Sequence, residues 1–259
     1  MRKEEPCRLC KKNNHLCDSH IIPKGLLKIS KGKHKQLIAL DSSKKNETES
    51  GTPFLDNVNW NEKLLCSDCE KHINLSYEIS QIAVLKQKKI EHATRLTITG
   101  FDYERFYMFW LSILWRASKS SHSMFKAVQL PSELDELIRQ ALRNGSLVGG
   151  AVGLPDFLQI GVSRWFWDGA DTRSVITSFI SINHKEAVCL TFLVSGLAII
   201  YQFSSEPFYP LPPGFSLIKK TFSFRMEKLS PGQSPILDEI LAAAREAAID
   251  IRNSKNIRN

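Results

Sequence analysis

Two cysteine pairs constrain this chain more than anything else in it. Cys7-Arg8-Leu9-Cys10 and Cys66-Ser67-Asp68-Cys69 are both Cys-x2-Cys turns. Such a turn sets two sulfurs on one side of a tight knuckle. Two knuckles brought together present four thiolates as a tetrahedron, which is how zinc is held in closed structural sites. The competing readings are a pair of disulfides or four buried free thiols. Disulfides need an oxidising compartment, and the opening Met1-Arg2-Lys3-Glu4-Glu5-Pro6 contains no apolar run for export. The expectation is therefore structural Zn2+ on Cys7, Cys10, Cys66 and Cys69, in a reducing cytoplasm. Cys17 lies in the same region and reads as a buried thiol rather than a substitute ligand.

The region between the pairs is rich in lysine. Lys24, Lys28, Lys31, Lys33 and Lys35 occur before the next acid, Asp41. With the polar run from Ser42 to Pro53, they read as a long loop able to hold phosphates without reading bases. Residues 1–94 contain 17 Lys and Arg against 12 Asp and Glu, so much of the formal net charge of +8 lies beside the cysteines. That excess suits a polyanion such as nucleic acid, and equally an ordinary solvated surface.

Past Cys69, Ile73, Tyr77, Ile82 and Leu85 have rough helical spacing. Phe101 to Ser118 is dense in aromatic rings. At helical spacing such rings predict core, although they can also stack on bases. Pro131 and Gly145 bracket a further helix. Gly149, Gly150, Gly153 and Pro155 mark a boundary. Beyond it, Leu158–Val162, Ser174–Ile182, Ala187–Val194, Leu197–Phe203 and Lys220–Met226 read as strands of a mostly antiparallel sheet. A helix over 235–251 is expected to close the chain. The uncharged run from Ala187 to Ser205 is just long enough to span a membrane. Its β-branched content and Ser195-Gly196 predict two buried strands with a turn instead, and no membrane partner. The expected fold is α+β, in three parts: a zinc module over 1–94, helices over 95–147 and a sheet-rich unit over 148–259.

Ser19-His20-Ile21-Ile22-Pro23 follows the first cysteine pair, and Asn61 precedes Leu64-Leu65-Cys66. In that order, over Cys7 to about Asn74, the residues resemble the zinc-bearing HNH endonucleases, which have a ββα-metal (treble-clef) core. The wording Ser-His-Ile-Ile-Pro and Leu-Leu-Cys-x2-Cys-Glu also resembles a group of uncharacterised bacterial proteins with HNH-like N-termini. The resemblance implies that His20 is the general base and that Asn61 orients it. Many relatives have Asp or His just before the base and His just after the second cysteine pair. Here those positions are Ser19 and Glu70. Glu70, helped by Asp18, is then the expected ligand of a catalytic Mg2+ or Mn2+, since these ions take one or two carboxylates and waters. Asn74, one helical turn on, is a further candidate.

A histidine near its ordinary pKa can take a proton from water at neutral pH. The resemblance therefore implies a metal-dependent endonuclease acting on nucleic acid, DNA above RNA, and the likeness to the uncharacterised bacterial proteins implies a role against foreign DNA. The alternatives are a treble-clef module that binds nucleic acid without cutting, or a zinc-stapled protein-interaction scaffold. Residues 148–259 carry no recognisable chemistry and are expected to dock a regulatory protein or ligand.

Overall fold

The computed structural model describes residues 5–31, 37–41, 52–56, 60–87, 95–147, 153–165, 172–204, 206, 209–221, 223–229, 232 and 238. Of the helix expected over 235–251 only Asp238 is described, and Lys33, His34 and Lys35 lie outside the described residues.

The N-terminal third begins with β1 (Glu5–Pro6) and β2 (Asn13–Asn14), which pair around the first cysteine turn. β3 (Leu16–His20) ends at Pro23's approach and is followed by helix α1 (Lys24–Lys31). β4 (Leu37–Asp41) and β5 (Thr52–Asp56) pair antiparallel. β6 (Asn61–Cys66) pairs antiparallel with β3 and sets Asn61 opposite His20. The second cysteine turn then opens α2 (Ser67–Ile73), which runs through a π-helical turn (Asn74–Glu78) into α3 (Ile79–Gln87). Lys24, Lys28 and Lys31 thus sit on a helix rather than on the expected loop, at i, i+4 and i+7.

β7 (Arg95–Thr99) leads into α4 (Tyr103–Lys119), whose start is capped by Asp102 accepting from the Arg105 amide. α5 (Ser132–Asn144) ends at Gly145, whose φ of 71° is open to glycine at little cost. α6 (Leu154–Phe157) precedes β8 (Leu158–Trp165). β9 (Val175–Thr177), β10 (Ile180–His184), β11 (Ala187–Val194), β12 (Leu197–Phe203), β13 (Ser216–Leu217) and β14 (Ser223–Leu229) complete the described elements.

The main sheet runs in the order β10, β11, β12, β8, β14, β7, with β13 also pairing β8. All its pairings are antiparallel except β14 on β8. β11 and β12 turn at Ser195 and Gly196, both at positive φ, as a two-residue hairpin requires. The run from Ala187 is therefore two strands, as its composition predicted, and no helix among the described residues is long and apolar enough to cross a membrane.

α4 carries the core. Phe106, Tyr107, Phe109, Trp110 and Trp115 are all buried. The Tyr107 hydroxyl donates to the Leu158 carbonyl of β8, and Tyr201 of β12 donates back to the Trp110 carbonyl at 2.9 Å. The aromatic run is a wall between sheet and zinc-module residues, not a stacking platform. One buried cluster continues from Cys7 to Met226. β4 pairs in parallel with β9, and β7 pairs with β14, so strands from the first two expected parts are completed by the third. The fold is mixed α+β, with its layers shared across the boundaries suggested near residues 94 and 147.

Candidate metal centre and active site

The four cysteines of the two knuckles converge. Cys7, Cys10, Cys66 and Cys69 present sulfurs that all lie within 4.8 Å of one another. The Cys10 and Cys66 sulfurs are 3.9 Å apart. A zinc ion about 2.3 Å from each sulfur sets tetrahedral S···S edges of about 3.8 Å, so the donor set fits that ion. The Cys66 amide donates to the Cys7 sulfur at 3.3 Å, which steadies a thiolate there. Burial pushes the Cys66 and Cys69 thiols upward; neighbouring sulfurs add to the rise at Cys69, whereas at Cys66 the bonds with Cys69 oppose it and Cys7 adds to it. Burial acts the same way on Cys10, but bonds from the Lys12 backbone and the other cysteines leave that thiol below its ordinary value. Four such groups ionise together only around a cation, so the cluster could hold a metal such as zinc. Cys17 is half-buried and outside the group.

The second site lies where β3 ends. His20, Glu70 and Asn74 line one cavity of about 460 Å³ with Glu78, Lys24 and Lys86. The helix face responsible is regular: Glu70, Asn74 and Glu78 follow at four-residue intervals, and Ile79, Ile82, Ala83 and Lys86 continue it along α3. The π-helical turn lies at the centre of this face, a distortion often found at functional sites. α1 forms the opposite wall. Its Gly25 is so close to α3 that an added Cβ would stand 2.7 Å from Ile82 Cδ1.

Beneath the cavity is an arginine that sequence reasoning missed. Arg116 of α4 is 1 % exposed. Its guanidinium donates to the His20 carbonyl at 2.7 Å, to Glu78 Oε1 at 2.5 Å and to the Ser112 carbonyl at 3.2 Å. A buried charge is tolerated only with such partners. The bracket fixes the end of β3 against the π-helical turn. The one sequence signal for Glu78 was its spacing from Glu70 and Asn74. Nothing local marks Arg116.

The imidazole itself is pulled below its ordinary pKa. Burial is the main cause, with the Lys24 and Arg116 cations adding to it and the Glu70 and Glu78 carboxylates opposing. It is neutral at neutral pH and can accept a proton. Glu70 Oε2 is shielded from solvent and accepts no hydrogen bond among the described residues. That oxygen is suited to a divalent cation, although the only group of His, Cys, Asp or Glu side chains close enough together to hold an ion by themselves, among the described residues, is the cysteine one. A cation at Glu70 would have to complete its shell with water or a ligand's phosphate.

The remaining candidates separate. Asp18 points to the surface and pairs with Lys63 at 2.8 Å, away from the cavity. Ser19 is fully buried, its hydroxyl accepting from the Leu65 amide at 3.3 Å, so this position belongs to the core. His72 lies off the cavity face and contacts the Leu142 carbonyl. His15 is exposed. Lys24 and Lys28 are exposed and Lys31 is half-buried, but of these only Lys24 lines the cavity. No family model, curated protein or solved structure matches the chain.

Proposed function

We propose that the protein is a metal-dependent, HNH-type endonuclease that hydrolyses phosphodiester bonds of nucleic acid, DNA above RNA. The observation that supports this most is that His20 and Glu70 line the same cavity. Support for a ββα-metal core comes from the β3–β6 pairing, with Asn61 opposite His20, followed directly by α2, which starts after Cys66 and carries Cys69.

In this reading His20 takes the proton of the attacking water. Asn61 and the Arg116 bond to the His20 carbonyl hold that residue at the strand end. Glu70, and Asn74 beside it, would hold Mg2+ or Mn2+, which supplies charge stabilisation on the phosphate when bound. Lys24 draws the polyanion to the cavity mouth. The zinc-bearing cysteines do no chemistry and pin β6 and α2. Residues 148–259 act through α1: the Ser195 hydroxyl at the β11–β12 turn donates to the Leu26 carbonyl at 3.0 Å and lies 2.6 Å from that of Ser30. A regulatory protein or ligand that moved this turn would move the helix carrying Lys24. Defence against foreign DNA is the setting in which a nuclease under such control is useful.

The burial of Ser19 and the lack, among the described residues, of a second close-packed ligand group favour one alternative, a zinc module that binds nucleic acid without cutting it. The deciding experiment is incubation of plasmid DNA and of RNA with magnesium or manganese. Nicking that is lost in His20→Ala supports the nuclease. A salt-dependent gel shift without cleavage supports the binding module.

A further inference from the structure

The cavity beside His20 is larger and less polar than a water and a cation need. Between the carboxylate of Glu70 at one end and Lys86 at the other, its wall is Ile79, Ile82 and Ala83. Apolar walls with a few placed charges are what ligand pockets have, at volumes from about 300 Å³ upward. Lys24 and Lys86 project from the two facing helices, and neither forms an ion pair among the described residues. Glu78 is already neutralised by Arg116, so it does not oppose an anion.

We infer that the cavity is a nucleotide subsite: it seats one unstacked nucleotide, its base or sugar against Ile79, Ile82 and Ala83, one flanking phosphate toward His20 and Glu70, and the next between Lys24 and Lys86. The inference deepens the nuclease reading and rests on it for the ligand class. Bases inside a duplex are stacked and cannot reach such a wall, so the preferred substrate is single-stranded or frayed nucleic acid. Apart from the His20 imidazole no aromatic ring is among the lining residues, and the Ile79, Ile82 and Ala83 wall offers no side-chain hydrogen-bonding group to tell one base from another. Lys86 is the residue specific to this arrangement. It lies in the last turn of α3, outside the lysine-rich stretch of 24–35.

The test is calorimetric titration of the zinc-loaded full-length protein, in magnesium, with adenosine 3′,5′-bisphosphate and with inorganic phosphate. The bisphosphate is expected to bind at least about tenfold more tightly than phosphate, with Lys86→Gln removing most of that difference. Lys86 is exposed, and an unchanged melting temperature in the variant confirms that only the site was altered. Equal affinity for the two ligands, no binding of either, or indifference to Lys86→Gln overturns the subsite. The outcomes separate from those of the nuclease reading: nicking that depends on His20 without bisphosphate preference sinks the subsite alone, whereas lysine-dependent binding without any cleavage sinks the nuclease alone.

Discussion

The Arg116 guanidinium donates to the main-chain carbonyl of His20 at 2.7 Å, across 96 residues of chain. A buried cation on the central helix thereby sets the position of the candidate base, while its other nitrogens hold Glu78 and Ser112. Removing one partner of a buried pair leaves an uncompensated charge. Glu78→Ala, which strands the arginine, is expected to cost about 3–5 kcal/mol of unfolding free energy. Adding Arg116→Met to it should recover part of that loss. Urea denaturation of the two single variants and the double variant reads the coupling, and strict additivity would contradict it.

The imidazole of His20 gives a second prediction, with a definite sign. Its folded pKa lies below the ordinary value near 6.5, so the folded chain binds fewer protons than the unfolded chain between the two values. The contribution to stability is complete above about pH 6.5 and is lost as pH falls through the folded pKa. Glu70→Gln removes an attraction for the protonated ring and should shift the titration further down. Lys24→Gln removes a repulsion and should shift it up. Nuclear magnetic resonance of the ring protons checks both directions without any need for activity.

The cysteine group predicts one zinc per chain by elemental analysis. Cys10→Ser or Cys69→Ser should lose the metal, while Cys17→Ser should keep it, since Cys17 is outside the group. A chelator should destabilise the protein, because the site is built only in the folded state. Full zinc content in Cys69→Ser would contradict a four-sulfur site.

Gly25 permits the contact of α1 with α3. Gly25→Ala puts a methyl 2.7 Å from Ile82 Cδ1 and should cost about 1–3 kcal/mol, the range for overpacking. Ile82→Val in the same chain makes room and should restore part of it. Thermal unfolding of the pair of variants measures this.

Much of this fold was legible because single residues announce it. The Cys-x2-Cys turns, the Pro131 and Gly145 brackets and the Ser195-Gly196 hairpin all act over a few residues, and each is found where the sequence put it. Long-range pairing was not legible. Arg95–Thr99 is too short to show its alternation and is a strand because β14 lies beside it. The apolar run from Ser174 to Ile182 looks continuous, yet Ser178 and Phe179 divide it between two sheets: the Ser178 amide bonds to the Leu40 carbonyl and the Phe179 amide to that of Met124. The expected strand from Lys220 starts only at Ser223 and runs on to Leu229. The lysines from 24 to 31 form a helix because their apolar neighbours Leu26 and Leu27 bury one face, a pattern that their charge obscured. At the site, His20 and Glu70 came from motif spacing, whereas Arg116 is a charged residue buried by its contact with Glu78, which no local pattern reveals.

The central claim is that His20 is a base acting on nucleic acid beside Glu70. Its most direct test is the single-turnover cleavage rate of a labelled single-stranded oligonucleotide by zinc-loaded protein in manganese, compared with His20→Ala at equal zinc content. The expected loss is about 10²-fold to 10⁴-fold, the usual contribution of a general base. Cleavage at an unchanged rate in His20→Ala would contradict the account.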